Sequence, residues 1–199
     1  MPSPRWKWRQ ELQEQRESLR SAVAHYNRFP RHDMEAAWFP IERSITYSAV
    51  CIRKLLELNL CNPKLNQLTA KCSDIASTTG HGFRVADYGS GHWILDNFDV
   101  ESQRDVLKRP FEFVSEIIHA SYLLPVHGLS DQIRGYGLVS PKKHAKSMTI
   151  FSSKELMKFI KRFSEDKYDT ITVISEDMTT GEKTRIRPSS QTRSAGESE

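Results

Sequence analysis

A chain of 199 residues is long enough for one folded domain with its own hydrophobic core. Its composition, 38% hydrophobic and 27% charged, excludes collagen-like, fully disordered and disulfide-stapled proteins. No apolar run reaches the roughly 18 to 20 residues of a membrane span, and the first residues lack the apolar region of a secretion signal. We therefore expect a soluble cytoplasmic protein with no membrane contact.

Two long helices are predicted in the amino-terminal part of the chain. The pattern from Pro4 to Phe29 is helical, and a second helix follows Asp33, which is placed to cap it. Asn62 ends the second helix, because a residue before proline is pushed out of the helical region. Its apolar stripe has spacings of three and four and consists of Trp38, Ile41, Ile45, Ala49, Ile52, Leu55, Leu56 and Leu60.

The middle of the chain carries weaker patterns. Residues 65–77 predict a short helix, and residues 78–109 predict irregular structure with one strand near residues 83–86, because turn-forming residues cluster there. Pro110 is well placed in the first turn of another helix. We expect the buried face of this helix to consist of Phe111, Val114, Ile117, Ile118 and Tyr122.

Beyond this helix the apolar residues alternate, which is typical of strands. The alternation predicts strands at 122–126, 136–140 and 148–151. Ser152 and Glu155 form a capping box that opens a further helix, with Leu156, Phe159, Ile160 and Phe163 inward. Two more strands are predicted at 169–175 and 183–187.

These elements predict an α+β fold, in which long amino-terminal helices precede a small, mostly antiparallel sheet with one packed helix. We expect a single domain over residues 1–187. It would comprise a helical part at about 4–77, an irregular part at 78–109 and an α+β part at 110–187. Residues 188–199 are polar, and we expect a disordered tail.

The formal net charge of +4 is unevenly distributed along the chain. Residues 134–162 carry eight basic side chains and a single acidic one, Glu155. Such a run is typical of a solvated helix face, but it also suits an acidic partner such as a nucleic acid. The anion-binding candidates in this segment are Arg134, Lys142 and Lys143.

Glu116 and His119 are the candidate catalytic residues. At a spacing of three on one helix, a carboxylate can orient an imidazole and raise its pKa, which would make an acid–base pair. The alternative interpretation is a surface ion pair or a structural histidine. One such Glu-x-x-His motif is half of a di-iron site, so we expect no metal.

Cofactor motifs are weak in this sequence. Residues 85–91 resemble the first glycine-rich motif of methyltransferases that bind S-adenosylmethionine, but His92 and Trp93 stand where a third glycine is needed. We expect a plain glycine turn and no cofactor. Three cysteines without a Cys-x-x-Cys pair argue against both a zinc site and a disulfide framework.

Three segments together resemble a group of bacterial proteins for which no activity is known. They are SITYSAVCIRKLLE at 44–57, FEFVSEIIHASYLLP at 111–125 and GYGLVSPKKHAKSMTIFSSKELMKFI at 135–160. The resemblance implies one continuous domain and a bacterial intracellular setting. It directs attention to Arg53, Glu57, His119 and the loop at 140–143.

Two functions remain open on these observations. The first is a small binding or regulatory protein that uses the basic segment as its contact face. The second is an enzyme that acts on nucleic acid or on a phosphate-containing substrate, with His119 and Glu116 transferring protons while Arg134, Lys142 and Lys143 hold the anion.

Overall fold

The computed structural model describes residues 5–28, 34–78, 97–128, 132–139, 147–167, 173–176 and 183–186. Where the sequence predicted one domain to residue 187, the chain divides into two compact units, Met1–Asp166 and Lys167–Glu199. Residues 142 and 143, the glycine-rich string at 85–91, the strand expected near 83–86 and the tail at 188–199 all lie outside the described residues.

Two long helices open the first unit, as the sequence predicted. They are α1 (Arg5–Arg28) and α2 (Met34–Glu57), which pack against each other through apolar stripes. The fully buried side chains of these stripes include Leu12, Leu19, Ile41, Ile45, Ile52 and Leu55. A hydrogen bond from Ser44 to Ser18, with 3.1 Å between the two Oγ atoms, links the helices in the same interface.

The segment after α2 is not the short helix expected at 65–77. A 3-10 helix at Pro63–Gln67, capped by Asn62, leads into strand β1 (Ala70–Ala76). Cys72 is buried while its neighbour Lys71 is exposed, which is strand periodicity. The prediction was wrong because the pairing partners that make this segment a strand are distant in sequence.

Strand β2 (Arg104–Lys108) follows a second 3-10 helix at Val100–Ser102. Irregular structure was expected over this stretch, and for residues 104–108 that prediction was wrong. As an edge strand, β2 is mostly exposed and lacks the apolar alternation that marks a half-buried strand. It pairs antiparallel with β1, placing Lys108 opposite Ala70.

Helix α3 (Pro110–Ile118) begins at Pro110 as predicted, but its buried face differs from the expected one. Phe113, Val114 and Ile117 are buried, whereas Phe111 is 48% exposed beneath the guanidinium group of Arg53, which lies 5.2 Å from the ring centroid. Several adjacent apolar residues fit more than one helical face, so periodicity alone did not fix the rotation of this short helix.

The other three strands of the main sheet are β3 (Tyr122–His127), β4 (Ile133–Val139) and β5 (Ser147–Ser152). The strand order is β2-β1-β5-β4-β3 and every neighbouring pair is antiparallel. Helix α4 (Ser153–Ser164) follows β5 directly. These elements confirm the α+β fold with one helix packed on a small antiparallel sheet.

The sheet of the first unit has two different faces. One packs against the helices in the main core, where Cys72, Tyr136 and Phe151 meet Phe113, Phe159 and other helix residues. The opposite face carries a smaller apolar cluster that consists of Ile75, Phe98, Val139 and Met148. We call this second side the outer face.

The second unit contains one described hairpin, in which β6 (Val173–Glu176) pairs antiparallel with β7 (Lys183–Ile186). Both strands overlap the positions predicted from the sequence. Across the described parts of both units, no helix combines the length and the apolar character that crossing a membrane requires.

Candidate functional site

The clearest surface formed by the basic segment, residues 134–162, lies on α4. Leu156, Phe159, Ile160 and Phe163 are buried, as predicted, and the cationic side chains Lys154, Lys158, Lys161 and Arg162 are exposed on the opposite side. The hydroxyl of Ser152 accepts a hydrogen bond from the backbone N–H of Glu155 at 3.1 Å, so half of the predicted capping box forms. The Glu155 carboxylate accepts instead from the backbone N–H of Lys71.

Three of these cations form what we call the basic row, which is Lys154, Lys158 and Arg162. They are spaced by four residues and therefore lie along one side of the helix. None of them makes an ion pair with any residue that the structure describes. Lys161 differs, because its Nζ lies 3.9 Å from Glu165.

Arg134 does not belong to this surface. It lies at a β-bulge, where the register between β3 and β4 shifts by one residue between Val126 and His127. Its exposed side chain lines a groove on the outer face together with Lys71, whereas α4 packs on the other side of the sheet. The basic segment is thus divided between two surfaces, and Lys142 and Lys143 lie outside the described residues.

Glu116 lies in a polar cluster that joins α3 to the sheet. Lys108 Nζ donates to both carboxylate oxygens of Glu116, at 2.8 and 2.6 Å, and to Thr149 Oγ1 at 2.9 Å. Asp74 Oδ1 lies 3.2 Å from the same ammonium group and accepts a hydrogen bond from Thr149 at 2.8 Å. We call Asp74, Lys108, Glu116 and Thr149 the buried polar cluster.

The ammonium group of Lys108 is held in its charged form by these carboxylates. Burial by itself lowers the pKa of Lys108, but the hydrogen bond and charge of Glu116, with the charge of Asp74, raise it by more. The result is a pKa above the ordinary value of lysine. Lys108 and Thr149 are only 2% and 3% exposed, so the centre of the cluster is buried between α3 and the sheet and stabilises the fold.

His119 follows α3 as its C-cap residue and is exposed. Its backbone N–H donates to Ser115, but no hydrogen bond joins its side chain to Glu116. The structure therefore does not bring the two candidate catalytic residues together. Sequence spacing placed them on one helix, but it could not show that Lys108, eight residues before Glu116, binds the carboxylate.

Arg53 and Glu57, which the resemblance singled out, form an ion pair on the surface of α2. Arg53 Nε lies 2.7 Å from Glu57 Oε1, and Lys54 adds a second contact at 3.2 Å. The hydrogen bond from Arg53 has the largest effect on Glu57 and lowers its pKa, and the hydrogen bond from Lys54 lowers it further. The pair is typical of helix surfaces at this spacing.

All three cysteines are reduced and buried. Burial raises the pKa of both Cys51 and Cys72 to about 12, so these thiols remain protonated and unreactive at neutral pH. Nothing in this arrangement suits nucleophilic catalysis. Within the described ranges no three His, Cys, Asp or Glu residues are grouped to hold a metal ion.

No family model matches this chain, and no curated protein or solved structure is significantly similar to it. The surfaces described above are therefore the basis for the proposals that follow.

Proposed function

We propose that this protein is a small binding or regulatory protein that contacts the phosphate backbone of a nucleic acid through the basic row of α4. The observation that carries the proposal is a row of exposed cations with no ion-pair partner among the described residues. The resemblance to bacterial proteins supports a bacterial, cytoplasmic setting for this role.

The spacing of the basic row suits a polyanion. With a rise of 1.5 Å per residue, successive cations are about 6 Å apart and the whole row covers about 12 Å. Duplex DNA carries one negative charge per roughly 1.7 Å of its axis, so about seven phosphate charges lie alongside such a length. A straight helix can therefore place three cations near one backbone without deformation.

The position of Lys154 favours this proposal over the interpretation that the basic row is only a solvated helix face. Arg162 lies in the last turn, where a cation interacts favourably with the helix dipole. Lys154 lies in the first turn, where a cation opposes the dipole, and it stands four residues from Lys158, a like charge. Both effects disfavour Lys154 in the isolated protein, so its presence is better explained by an external anion.

The experiment is an anisotropy titration of a labelled 20-base-pair DNA duplex at about 50 mM salt. The test variant is K154Q/K158Q/R162Q, which removes the basic row. Its matched control is R43Q/R104Q/R109Q, which removes three exposed cations from α2, β2 and the start of α3. Both variants change the net charge equally, so they separate a local contact from a general effect of charge.

We expect wild type to bind with a dissociation constant of roughly 1 to 100 μM, in the range of sequence-independent binding. The test variant should bind more than tenfold more weakly, and the control should stay within threefold of wild type. Equal losses in the two variants would contradict the proposal. Binding of polyglutamate in preference to DNA would also contradict it, because the partner would then be an acidic protein.

A further inference from the structure

The outer face of the sheet carries a groove that crosses β2, β1, β5 and β4. In one row across four strands, Ser73, Ile150, Gly137 and Leu124 are neighbours, and in the next row Gly135 lies between Ser152 and Val126. The groove is a depression bordered by Gly135, Val126, Ile150 and Ser152, whereas the space above Gly137 is occupied by Met148. The cavity here has a volume of about 540 Å³, within the usual range for small-molecule sites.

Gly135 is required by close packing at this depression. A Cβ atom at this position would lie 2.6 Å from the backbone oxygen of Phe151, closer than any real contact. No other residue can therefore occupy the position without displacing the neighbouring strand. The close approach of β4 to β5 beside the groove therefore depends on glycine at this position.

Two cations border the groove. Lys71 extends from β1 and Arg134 from the bulge of β4, where Gly128 leaves room for the stem of the arginine. Their strands are separated only by β5, so their backbones are about 10 Å apart. Long basic side chains at this separation can reach one anionic group. Neither makes an ion pair with a residue in the described parts of the chain.

The rest of the lining combines polar and apolar groups. Asp105 accepts a hydrogen bond from Ser73 Oγ at 3.0 Å, and Ser73 in turn accepts one from Gln103 at 2.9 Å. Leu107, which is 65% exposed, and the half-buried Ile150 supply apolar surface beside this network. An exposed leucine on a sheet face next to two cations suits an amphipathic ligand.

We propose that this groove binds a small phosphate monoester with an aromatic or apolar body. Arg134 and Lys71 hold the phosphate, whose charge of about −2 at neutral pH matches two cations. The organic body covers Leu107 and Ile150. The inference does not rest on the proposed nucleic-acid contact, because α4 packs on the opposite side of the sheet.

The test uses 1-naphthyl phosphate as a fluorescent probe, with 1-naphthol and inorganic phosphate as partial ligands. We expect wild type to bind the probe at least tenfold more tightly than either partial ligand, because each lacks one of the two interactions. R134Q and K71Q should each weaken binding of the probe at least tenfold, the loss expected for one charge-assisted hydrogen bond. R43Q, which removes an exposed cation of α2 outside both proposed binding surfaces, is the control and should leave this affinity unchanged.

Three outcomes would overturn the proposal. They are an affinity for 1-naphthol equal to that for the phosphate, an unchanged affinity in both R134Q and K71Q, and a loss in R43Q as large as in R134Q. Absence of wild-type binding at millimolar probe would also overturn it. Because the two cations lie on different strands, each variant tests the site independently, and thermal unfolding verifies that both are folded.

Discussion

Lys108 connects α3 to three strands from a position that is almost closed to solvent. Its ammonium group contacts Glu116, Asp74 and Thr149 at once, within hydrogen-bond or ion-pair distance. A buried charge is tolerated only where such partners replace the lost water. The Glu116 carboxylate in turn needs the charge of Lys108, since its own side chain is mostly buried.

Replacing Lys108 with methionine should therefore destabilise the protein by roughly 3 to 5 kcal/mol, the usual cost of leaving a buried charge without its partner. Urea denaturation measures the change. The double variant K108M/E116M should recover part of this loss, because the uncompensated carboxylate of Glu116 is also removed. A loss below about 1 kcal/mol in K108M, or a double variant less stable than K108M, would contradict this role.

The contribution of Lys108 should also depend on pH. Its pKa in the folded protein lies above the ordinary value of 10.5, so its contribution is complete at neutral pH and is lost as the pH rises through the folded pKa. The stability difference between wild type and K108M should stay constant from about pH 7 to pH 9 and decrease above about 10.5. A difference that changes between pH 7 and 9 would show that another group titrates with it.

Helix α3 shows how a short element can have the predicted position and a different rotation. Phe113 is fully buried and packs edge-on against Phe151 and Phe159, with ring centroids 5.0 and 5.1 Å apart. Phe111 lies on the surface under Arg53. The two phenylalanines should thus differ strongly in their contribution to stability.

Phe113→Ala should cost roughly 3 to 5 kcal/mol, because it opens a cavity among aromatic rings. Phe111→Ala should cost about 1 kcal/mol or less, since it removes a half-exposed ring and one cation–π contact. Chemical denaturation of the two variants provides the comparison. A larger cost for Phe111→Ala than for Phe113→Ala would mean that the helix packs with the face predicted from periodicity, and equal costs would contradict the different burial of the two rings.

In helix α4, one substitution at Lys154 should change stability and DNA binding in opposite directions. Lys154→Glu should raise the free energy of unfolding by about 0.3 to 1 kcal/mol, because the new carboxylate favours the helix dipole and no longer repels Lys158. The same substitution should weaken DNA binding. If K154E lowers stability, Lys154 makes a stabilising contact in the fold; if it leaves DNA binding unchanged, Lys154 does not contact the nucleic acid.

The sequence predicted those helices and strands whose apolar pattern lies within one continuous segment. The apolar stripes of α1 and α2, the inward residues of α4 and the alternation around β4 and β5 each lie within one segment. Strands β1 and β2 were missed because their identity depends on pairing across the sheet, where Ser73 meets Asp105 on one side and Ile150 on the other. Whether such segments become strands depends on their position in the sheet and not on the β-propensity of their residues.

The candidate site, like the fold, was predicted from the sequence only where the evidence is local. The charge pattern located the exposed cations of α4, which depend only on helical periodicity. It could not show that Arg134 lies on the other side of the sheet beside Lys71, because a bulge and a strand pairing place it there. Nor could it show that Glu116 is bound by Lys108. Contacts of this kind depend on the complete fold.

At the scale of the whole first unit, positive charge is presented on two opposite sides. The basic row lies on a helix that covers one face of the sheet, and Lys71 and Arg134 lie on the outer face. Acidic side chains balance much of the remaining charge through ion pairs such as Arg9 with Asp166 and Arg16 with Glu165. The net charge of +4 thus conceals two separate cationic surfaces.

The salt dependence of DNA binding tests the central claim most directly. Three phosphate contacts made by the basic row predict a slope of about −2.7 for the logarithm of affinity against the logarithm of salt concentration. Each Lys or Arg removed from the row should reduce the slope by about one, so K154Q/K158Q/R162Q should bring it close to zero. A wild-type slope that this triple variant leaves unchanged would contradict the claim that α4 contacts the nucleic acid.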